Sequence, residues 1–253
     1  MISRHGGERK TKMNYGIIFA GGSGRRMNTK AIPKQFLEMN GKAIIIHTIE
    51  YFERCEEIDG IVVVCLEAYI SYLKSLLEVA NIKKVIKIVK GGNTGQESIY
   101  NGLCAADDIA DKKEKNIVLI HDGVRPLISE QLLVDNIQMV QKYGSAITIT
   151  PATETIILAE NNETISQIMK REKCYIAKAP QSFYLADILN AHRMAINEGL
   201  TDCIDSATLM KHYGYKLHLV EGPVENIKIT NPVDFYVLRA IYEARENSQI
   251  FGI

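Results

Sequence analysis

Short apolar runs alternate with longer amphipathic segments along most of this chain. The runs are rich in β-branched residues and are typical of buried strands. In the longer segments, apolar residues recur with the period of a helix, and two of these segments end just before a glycine. Alternating strands and helices predict parallel βαβ units, and hence an α/β fold with a mostly parallel sheet and helices on both faces.

The boundaries of these elements follow from the same pattern. The predicted strands are Ile17–Ala20, Ile61–Cys65, Val85–Val89, Ile117–Ile120, Ala146–Thr150 and Leu217–Val220. The predicted helices are Ala43–Arg54, Ala68–Val79, Glu97–Asp107, Ser129–Tyr143, Ile188–Glu198, Asp205–His212 and Pro232–Asn247.

The pattern breaks at about Pro151. Residues 152–178 are polar and β-branched, and the pair Asn161-Asn162 lies in their middle, which predicts a hairpin. We interpret this segment as an inserted β-arm and not as a second domain.

Length and charge exclude several classes of protein. The chain has 253 residues, which fits one α/β domain, and its 30 basic residues balance its 30 acidic ones. It therefore has no overall positive field to attract nucleic acid or a membrane, and its apolar runs are too short to span a bilayer. Residues 1–12 form a polar leader that we expect to be disordered, and residues 13–253 a single domain.

The five cysteines are widely spaced and form no C-x-x-C pair. They suggest neither a zinc site nor a disulfide framework. Reduced thiols in a cytoplasmic protein are the simplest interpretation.

Three sequence-distant segments follow directly after predicted strands: Gly21–Arg26, Gly91–Ser98 and His121–Arg125. In an open parallel sheet, ligands bind beyond the carboxyl ends of the strands. We therefore expect these three segments to converge at one edge of the sheet.

The first of these segments has the composition of a polyphosphate site. A glycine-rich turn, Gly21–Gly24, follows the first strand at once, and Arg25, Arg26 and Lys34 come soon after it. Backbone N–H groups in such a turn can point at an anion, and the cations can neutralise several phosphate charges. The spacing is neither G-x-G-x-x-G nor that of a P-loop. A structural turn beside a solvated charge cluster remains an alternative.

Two further polar residues stand near this predicted edge. Asp122 follows a buried strand and could hold Mg²⁺ or a substrate hydroxyl, while Arg125 could grip a phosphate. The alternative is that Asp122 caps the coming turn and pairs with Arg125. Lys228 alternates with apolar neighbours, as in a late strand, and is either a third phosphate cation or a half-exposed lysine.

This inventory of charges suits phosphoryl or nucleotidyl transfer, which needs positioning and charge neutralisation and no protein nucleophile. The motifs AGGSGRRM, PKQFL, IHTIE, GG…ES, HDGVRP, TETI, APQSF, EG and ENIKIT, in this order, resemble the cytidylyltransferases that activate sugar-alcohol phosphates with CTP. The chain is similar both to 2-C-methyl-D-erythritol 4-phosphate and to ribitol 5-phosphate cytidylyltransferases, from about Tyr15 to Ala244. The resemblance implies a Rossmann-like fold, a homodimer built through the β-arm, and a reaction of CTP with a polyol phosphate that uses Mg²⁺ and gives a CDP-polyol and pyrophosphate.

The resemblance also implies a role for each residue of the site. The catalytic residues would be Arg26 and Lys34, which stabilise charge on the α-phosphate and pyrophosphate, and Lys228, which bridges the reacting phosphates. The nucleotide-binding residues would be Ala20, Gly21, Gly22, Ser23, Gly24, Gly91, Gly92 and Ser98. The substrate-binding residues would be Asp122, which also contacts Mg²⁺, Arg125, and Thr155 and Arg171, which lie on the arm and bind the polyol phosphate of the partner subunit.

Three positions depart from the usual pattern of the family. Gly95 stands where arginine is usual, while Ala179 and Ile204 stand where threonine is usual. The acceptor therefore stays open among methylerythritol, ribitol and another polyol phosphate for surface-polysaccharide assembly. Two other classes also stay open: a non-catalytic nucleotide-binding regulator, and a nicotinamide oxidoreductase, which the absence of G-x-G-x-x-G disfavours.

Overall fold

The structure is a computed structural model that describes residues 12–21, 32–161 and 163–251. Its strands are β1 Asn14–Ala20, β2 Glu38–Met39, β3 Lys42–Ala43, β4 Gly60–Cys65, β5 Val85–Lys90, β6 Ile117–Asp122, β7 Ser145–Pro151, β8 Ile157–Glu160, β9 Thr164–Ile168, β10 Tyr175–Tyr184 and β11 Leu219–Glu221. Its α-helices are α1 Ile44–Arg54, α2 Ile70–Val79, α3 Gly95–Asp107, α4 Glu130–Tyr143, α5 Leu185–Glu198, α6 Ser206–His212 and α7 Pro232–Phe251. Short 3₁₀ turns cover Lys34–Phe36, Glu67–Tyr69 and Arg171–Lys173.

Seven strands form the central sheet, in the order β11-β7-β10-β6-β1-β4-β5. Neighbouring strands are parallel except at β10, which runs antiparallel to both β6 and β7. The carboxyl ends of β1, β4, β5, β6 and β7 therefore lie along one edge of the sheet. This arrangement confirms the predicted α/β fold with a mostly parallel sheet.

Two apolar cores cover the two faces of the sheet. Ile18 of β1 packs with α1, α2 and α4 on one face, while its neighbour Ile17 packs with α3, α5 and α6 on the other. Adjacent residues of a strand point to opposite faces, so a strand that is apolar at every position requires helices on both sides. Within the described ranges, no helix is long and apolar enough to cross a bilayer.

The predicted helices and the six predicted strands are all present, with ends that shift by a few residues. Helix α4 shows how the sequence sets such limits, because Ser129 accepts a hydrogen bond from the backbone of Leu132 at its start. At its end, Gly144 adopts a left-handed conformation with φ of 88°. The prediction of a disordered leader falls almost entirely outside the described residues.

Strand β10 was not predicted from the sequence, although it lies in the middle of the sheet. A proline in a central strand normally argues against a strand, since it cannot donate a ladder hydrogen bond. Here Pro180 falls where the pairing of β10 with β7 shifts register, between Ala177 and Gln181. The irregular register accommodates the missing N–H group, so the rule does not exclude the strand.

The inserted arm is a hairpin, as predicted, but it is shorter than residues 152–178. Strands β8 and β9 form a separate two-stranded sheet, and Asn161 lies between them with φ of 55°. Residues 175–178 belong instead to β10, because Tyr175 and Ile176 pair with the end of β7.

A buried asparagine ties β10 to its surroundings. Asn136 of α4 donates to the carbonyl of Leu132 at 2.9 Å and to the hydroxyl of Thr148 in β7 at 3.1 Å. It also accepts a hydrogen bond from the hydroxyl of Ser182 in β10 at 3.0 Å. Asn136, Thr148 and Ser182 are all fully buried. The side chain therefore links one helix to two strands inside the protein.

We expect the substitution Asn136→Ala to lower the free energy of unfolding by about 2–3 kcal/mol, because it leaves two buried hydroxyl groups without a partner. Urea unfolding followed by circular dichroism measures the difference. Gln138→Ala, at an exposed position of the same helix, is the matched control and should stay within about 0.5 kcal/mol of the wild type. Equal stabilities for the two variants would contradict this role of Asn136.

Candidate active site

A cleft of about 610 Å³ opens at the carboxyl edge of the sheet, where β1, β5 and β6 end. Its lining residues are Phe19, Ala20, Gly21, Lys34, Gln35, Gly92, Asn93, Thr94, Gly95, Ser98, Asp122, Val124 and Lys228. The structure thus brings together parts of all three segments that were expected to converge.

A second cavity of about 310 Å³ adjoins this cleft. Four residues line both spaces: Phe19, Gly95, Asp122 and Lys228. Most of the other residues of the second cavity come from β10 and from the start of α6, with single residues from α3, from β6 and from the loop after β6. Its polar residues include Arg125, Lys178, Gln181 and Asp205. Two ligands could therefore lie side by side with Asp122 and Lys228 at their boundary.

Two glycines allow the loops after β1 and β5 to approach each other closely. A Cβ atom on Gly21 would lie 3.2 Å from the Ser98 hydroxyl and 3.6 Å from the Cα of Gly91. A Cβ atom on Gly91 would lie 3.3 Å from the same hydroxyl. Side chains at these positions would push the two loops apart, so the glycines set the width of the cleft wall.

The Ser98 hydroxyl holds the second loop in shape. It accepts a hydrogen bond from the backbone of Gly92 at 3.0 Å and donates one to the carbonyl of Thr94 at 2.9 Å. The backbone of Asn93 in turn donates to the carboxylate of Glu97 at 2.7 Å. Because these amides have partners within the loop, the loop offers a preformed surface and few free donors.

Asp122 is the centre of the charges between the two cavities. Its Oδ1 atom lies 2.5 Å from Nζ of Lys228, and its Oδ2 atom accepts a hydrogen bond of 2.8 Å from Nε of Arg125. Arg125 also donates to the carbonyl of Asn226 at 3.0 Å. Arg125 therefore pairs with Asp122, which was the alternative to phosphate binding in the sequence analysis. Through its second hydrogen bond, Arg125 also connects the carboxylate to the loop that contains Asn226.

Burial alone would raise the pKa of the Asp122 carboxyl, but the charges of Lys228 and Arg125 outweigh burial and lower this pKa from 3.8 to about 2. Asp122 is therefore a carboxylate at neutral pH. Since a buried charge is costly without a partner, the three side chains depend on one another.

His121 lines neither cavity and is fully buried. Burial lowers its pKa to about 4, so the imidazole is neutral at pH 7. Its Nε2 atom lies 3.1 Å from the carbonyl of Arg125, and its ring packs 5.5 Å from that of Phe52. These contacts indicate a structural role in the loop that carries Asp122 and Arg125.

The prediction of a strand around Lys228 was wrong. Residues 226–230 form an irregular segment, in which the backbone of Ile229 donates to the carbonyl of Val124 at 3.0 Å. The predicted alternation nevertheless holds, because Ile229 is buried in an apolar cluster while Lys228 reaches Asp122. The segment therefore alternates its side chains as a strand does, although among the described residues it makes only this one backbone hydrogen bond to the segment beside it.

Lys34 lines the first cleft, and its neighbour Gln35 fixes the turn that carries it. The buried Gln35 amide donates to the carbonyl of Ala20 at 2.6 Å, which joins this turn to the end of β1. The predicted residues Gly22, Ser23, Gly24 and Arg26 lie outside the described residues.

Thr155 and Arg171 line neither cavity of this chain. Both are exposed on the arm, where Arg171 donates to the carbonyl of Thr153 at 3.3 Å. Their role in acceptor binding stays a prediction.

Sequence reasoning missed several residues of the second cavity. Gln181 donates to the carboxylate of Asp205 at 2.8 Å and accepts from the backbone of Ala207, so it fixes the start of α6 beside β10. Lys178 and Phe19 were also missed. The motif APQSF includes Gln181. Because residues 152–178 were assigned to the β-arm, the strand β10, which positions Gln181 in the cavity, was not predicted.

Glycine loops and a carboxylate with two cations, at the carboxyl edge of a doubly wound sheet, suit a nucleotidyltransferase. The family model described as IspD, 2-C-methyl-D-erythritol 4-phosphate cytidylyltransferase, matches residues 15–244. The chain belongs to this family.

The similar proteins include cytidylyltransferases named for two different acceptors. A ribitol-5-phosphate cytidylyltransferase of Streptococcus agalactiae serotype V is 55% identical over 241 residues, which cover 95% of this chain and 100% of the relative. A 2-C-methyl-D-erythritol 4-phosphate cytidylyltransferase of Clostridium novyi is 35% identical over 231 residues, covering 91% and 96% of the two chains. The crystal structure of 4-diphosphocytidyl-2C-methyl-D-erythritol synthase from Anaerococcus prevotii superposes with a TM-score of 0.79 at 27% identity, over 92% of this chain and 97% of the other.

We expect the Asp122 carboxylate to stabilise the fold in a pH-dependent way. Its folded-state pKa lies below its ordinary value, so its contribution is fully present above about pH 4 and is lost as the pH falls toward 2. Asp122→Asn should lower the free energy of unfolding by about 2 kcal/mol at pH 6, and by progressively less between pH 4 and pH 2. Urea unfolding at a series of pH values measures the difference. A difference that stays constant across this range would contradict the assignment.

Proposed function

We propose that this protein transfers CMP from CTP to ribitol 5-phosphate, giving CDP-ribitol and pyrophosphate. The observation that carries the proposal is the 55% identity to a relative named ribitol-5-phosphate cytidylyltransferase, over the whole of that relative. The relative named for methylerythritol phosphate is only 35% identical, although the family model bears that name. Methylerythritol 4-phosphate is therefore the second candidate acceptor.

The two adjoining cavities support a reaction between two phosphates. CTP occupies the larger cleft, whose lining includes Gly21, Gly92 and Lys34. The polyol phosphate occupies the smaller cavity. A phosphate oxygen of the acceptor attacks the α-phosphorus of CTP, a new P–O–P bond forms, and the bond to the β-phosphate breaks to release pyrophosphate. The substrate supplies the nucleophile, so the protein supplies position and charge.

Lys228 lines both cavities, which supports its assignment as the residue that bridges the two reacting phosphates. Its pairing with Asp122 fixes its ammonium group before substrates arrive. We assign Arg26 and Lys34 to the charge that grows on the α-phosphate and the leaving pyrophosphate. Both residues follow the glycine turn in the sequence, and Lys34 lines the larger cleft.

Mg²⁺ belongs to the proposal as a cofactor. Among the described residues, no group of three or more histidine, cysteine, aspartate or glutamate side chains could hold a metal ion. Mg²⁺ bound to nucleotides typically takes one or two carboxylates and completes its shell with phosphates and water. Asp122 would supply such a carboxylate, because it lines both cavities and each of its oxygens has a further lone pair beside its contact with a cation. When bound there, the ion would neutralise part of the charge of the triphosphate.

We also infer a homodimer in which the arm of each subunit reaches the acceptor site of the other. The arm and the adjoining start of β10 expose several large apolar side chains: Ile157, Leu158, Ile165, Ile168, Tyr175 and Ile176. Clustered exposed apolar residues are typical of an interaction surface. Thr155 and Arg171 would then complete the partner subunit's acceptor cavity, which neither residue lines in its own chain.

An acceptor screen with CTP and Mg²⁺ tests the function. We expect kcat/KM for ribitol 5-phosphate to exceed that for methylerythritol 4-phosphate by about tenfold or more, because a site that hydrogen-bonds a hydroxyl discriminates against an acceptor that lacks it. Release of pyrophosphate measures the rate. In Lys34→Ala the rate should fall about 10²–10³-fold, whereas Lys74→Ala, at an exposed position of α2, should keep the wild-type rate.

The outcomes of the screen separate the candidates. Faster turnover of methylerythritol 4-phosphate would show that this compound, the second candidate, is the preferred acceptor. Binding of CTP without turnover of any polyol phosphate would contradict the enzymatic proposal and favour a nucleotide-binding regulator.

A further inference from the structure

Three cations line the smaller cavity: Arg125, Lys178 and Lys228. Two of them are already paired with one carboxylate, since Arg125 and Lys228 both contact Asp122, at 2.8 and 2.5 Å. Their charges are largely compensated before any ligand enters. The third cation differs from them in its surroundings.

Lys178 is half-buried, and its Nζ atom donates a hydrogen bond of 3.0 Å to the carbonyl of Val224. Of the cavity's three cations it is the one that has no ion pair with a carboxylate in the described part of the chain. Burial lowers the pKa of Lys178, and the charge of Arg125 lowers it further, while Glu225 acts in the opposite direction. A partly desolvated ammonium group whose partner is a neutral carbonyl gains from an anionic ligand.

The neighbouring residues of the cavity reinforce this point. Ala179 presents only a methyl group, and Ile204 presents an apolar side chain that is 93% exposed. Asp205 already accepts hydrogen bonds from Gln181 and from the backbone and hydroxyl of Thr208. The free polar capacity on this side of the cavity therefore lies with the charged Lys178 and with the buried hydroxyl of Ser206, which has no hydrogen-bond partner among the described residues. Of these two groups only Lys178 carries a charge that can balance a phosphate.

We propose that Lys178 binds the phosphate group of the sugar-alcohol phosphate. The inference rests on the proposed function, because it assigns the smaller cavity to that substrate. Lys178 then acts in ground-state binding of the acceptor, whereas Lys228 stands between the two reacting phosphates. The two lysines approach the cavity from different elements, Lys178 from β10 and Lys228 from the segment before α7.

The competing explanation is that Lys178 only fastens β10 to the turn that contains Val224. If Lys178 had only this structural role, its loss would change the Michaelis constants of both substrates and lower the stability of the fold. A phosphate-binding cation would affect the acceptor alone. The Michaelis constants of the two substrates, measured separately, therefore distinguish the two roles.

The test replaces Lys178 with Met, which keeps the length of the side chain and removes its charge. We expect the KM for ribitol 5-phosphate to rise about tenfold to hundredfold, while the KM for CTP stays within about twofold. Lys178→Arg should recover most of the loss, because it restores the charge. Lys211→Met, at an exposed lysine of α6, is the matched control and should leave both constants unchanged. Thermal unfolding of all variants checks that the fold is intact.

An unchanged KM for the acceptor in Lys178→Met would overturn the inference and leave the proposed function standing. A rise in both Michaelis constants, or one in KM for CTP alone, would also overturn it. Failure of the proposed function is visible earlier, as absence of turnover by the wild type. In that event, calorimetric titration with ribitol 5-phosphate decides: weaker binding by Lys178→Met than by the wild type supports the inference, and equal or absent binding contradicts it.

Discussion

The buried carboxylate of Asp122 organises the site, because two cations depend on it. It lies at the end of β6, between the two cavities, and holds Lys228 and Arg125 at hydrogen-bonding distance. Without this anion the two positive charges would be close together in a poorly solvated place and would repel each other. The carboxylate therefore fixes the position of Lys228 at the boundary where the two phosphates would meet. An enzyme that provides no nucleophile of its own accelerates the reaction mainly by preorganised charges that stabilise the transition state.

The sheet supplies the positions that this arrangement needs. Parallel strands bring the loops after β1, β5 and β6 to one edge, and Gly21 and Gly91 allow two of these loops to touch. The antiparallel strand β10 adds the wall of the smaller cavity, where Lys178 and Gln181 lie. Asn136 links β10 to α4 and β7 from the inside. Ala179, one of the three positions that depart from the usual family pattern, also lies on this strand.

Much of the fold could be predicted from the sequence, since periodicity reports burial directly. The strand Ile61–Cys65 and the helix before Gly144 are examples, because β-branched runs and a left-handed glycine have local causes. Strand β10 could not be predicted in this way. Its centre contains Pro180, and only the register shift against β7 shows that the proline is tolerated there. A register shift is a property of two strands together and leaves no mark in either sequence segment alone.

The residues of the site likewise fall into those with a local sequence signal and those that depend on contacts between distant segments. Asp122, Lys34 and Ser98 could be located because each stands near a strand end or beside a glycine turn. The pairing of Asp122 with Lys228 joins residues that are far apart in sequence, so the motifs could suggest two phosphate ligands but not their mutual contact. Lys178 carried no motif signal, and only the cavity it lines and the absence of a carboxylate partner among the described residues draw attention to it.

A double-mutant cycle between Asp122 and Lys228 tests the central claim most directly. The measured quantity is kcat/KM of the wild type, Asp122→Asn, Lys228→Met and the double variant, with CTP and the best acceptor. If Asp122 acts chiefly by holding Lys228, the double variant should be little worse than the poorer single variant, with a coupling energy of about 1–3 kcal/mol. Losses that add fully, with a coupling energy near zero, would show that the two residues act independently and would contradict the account.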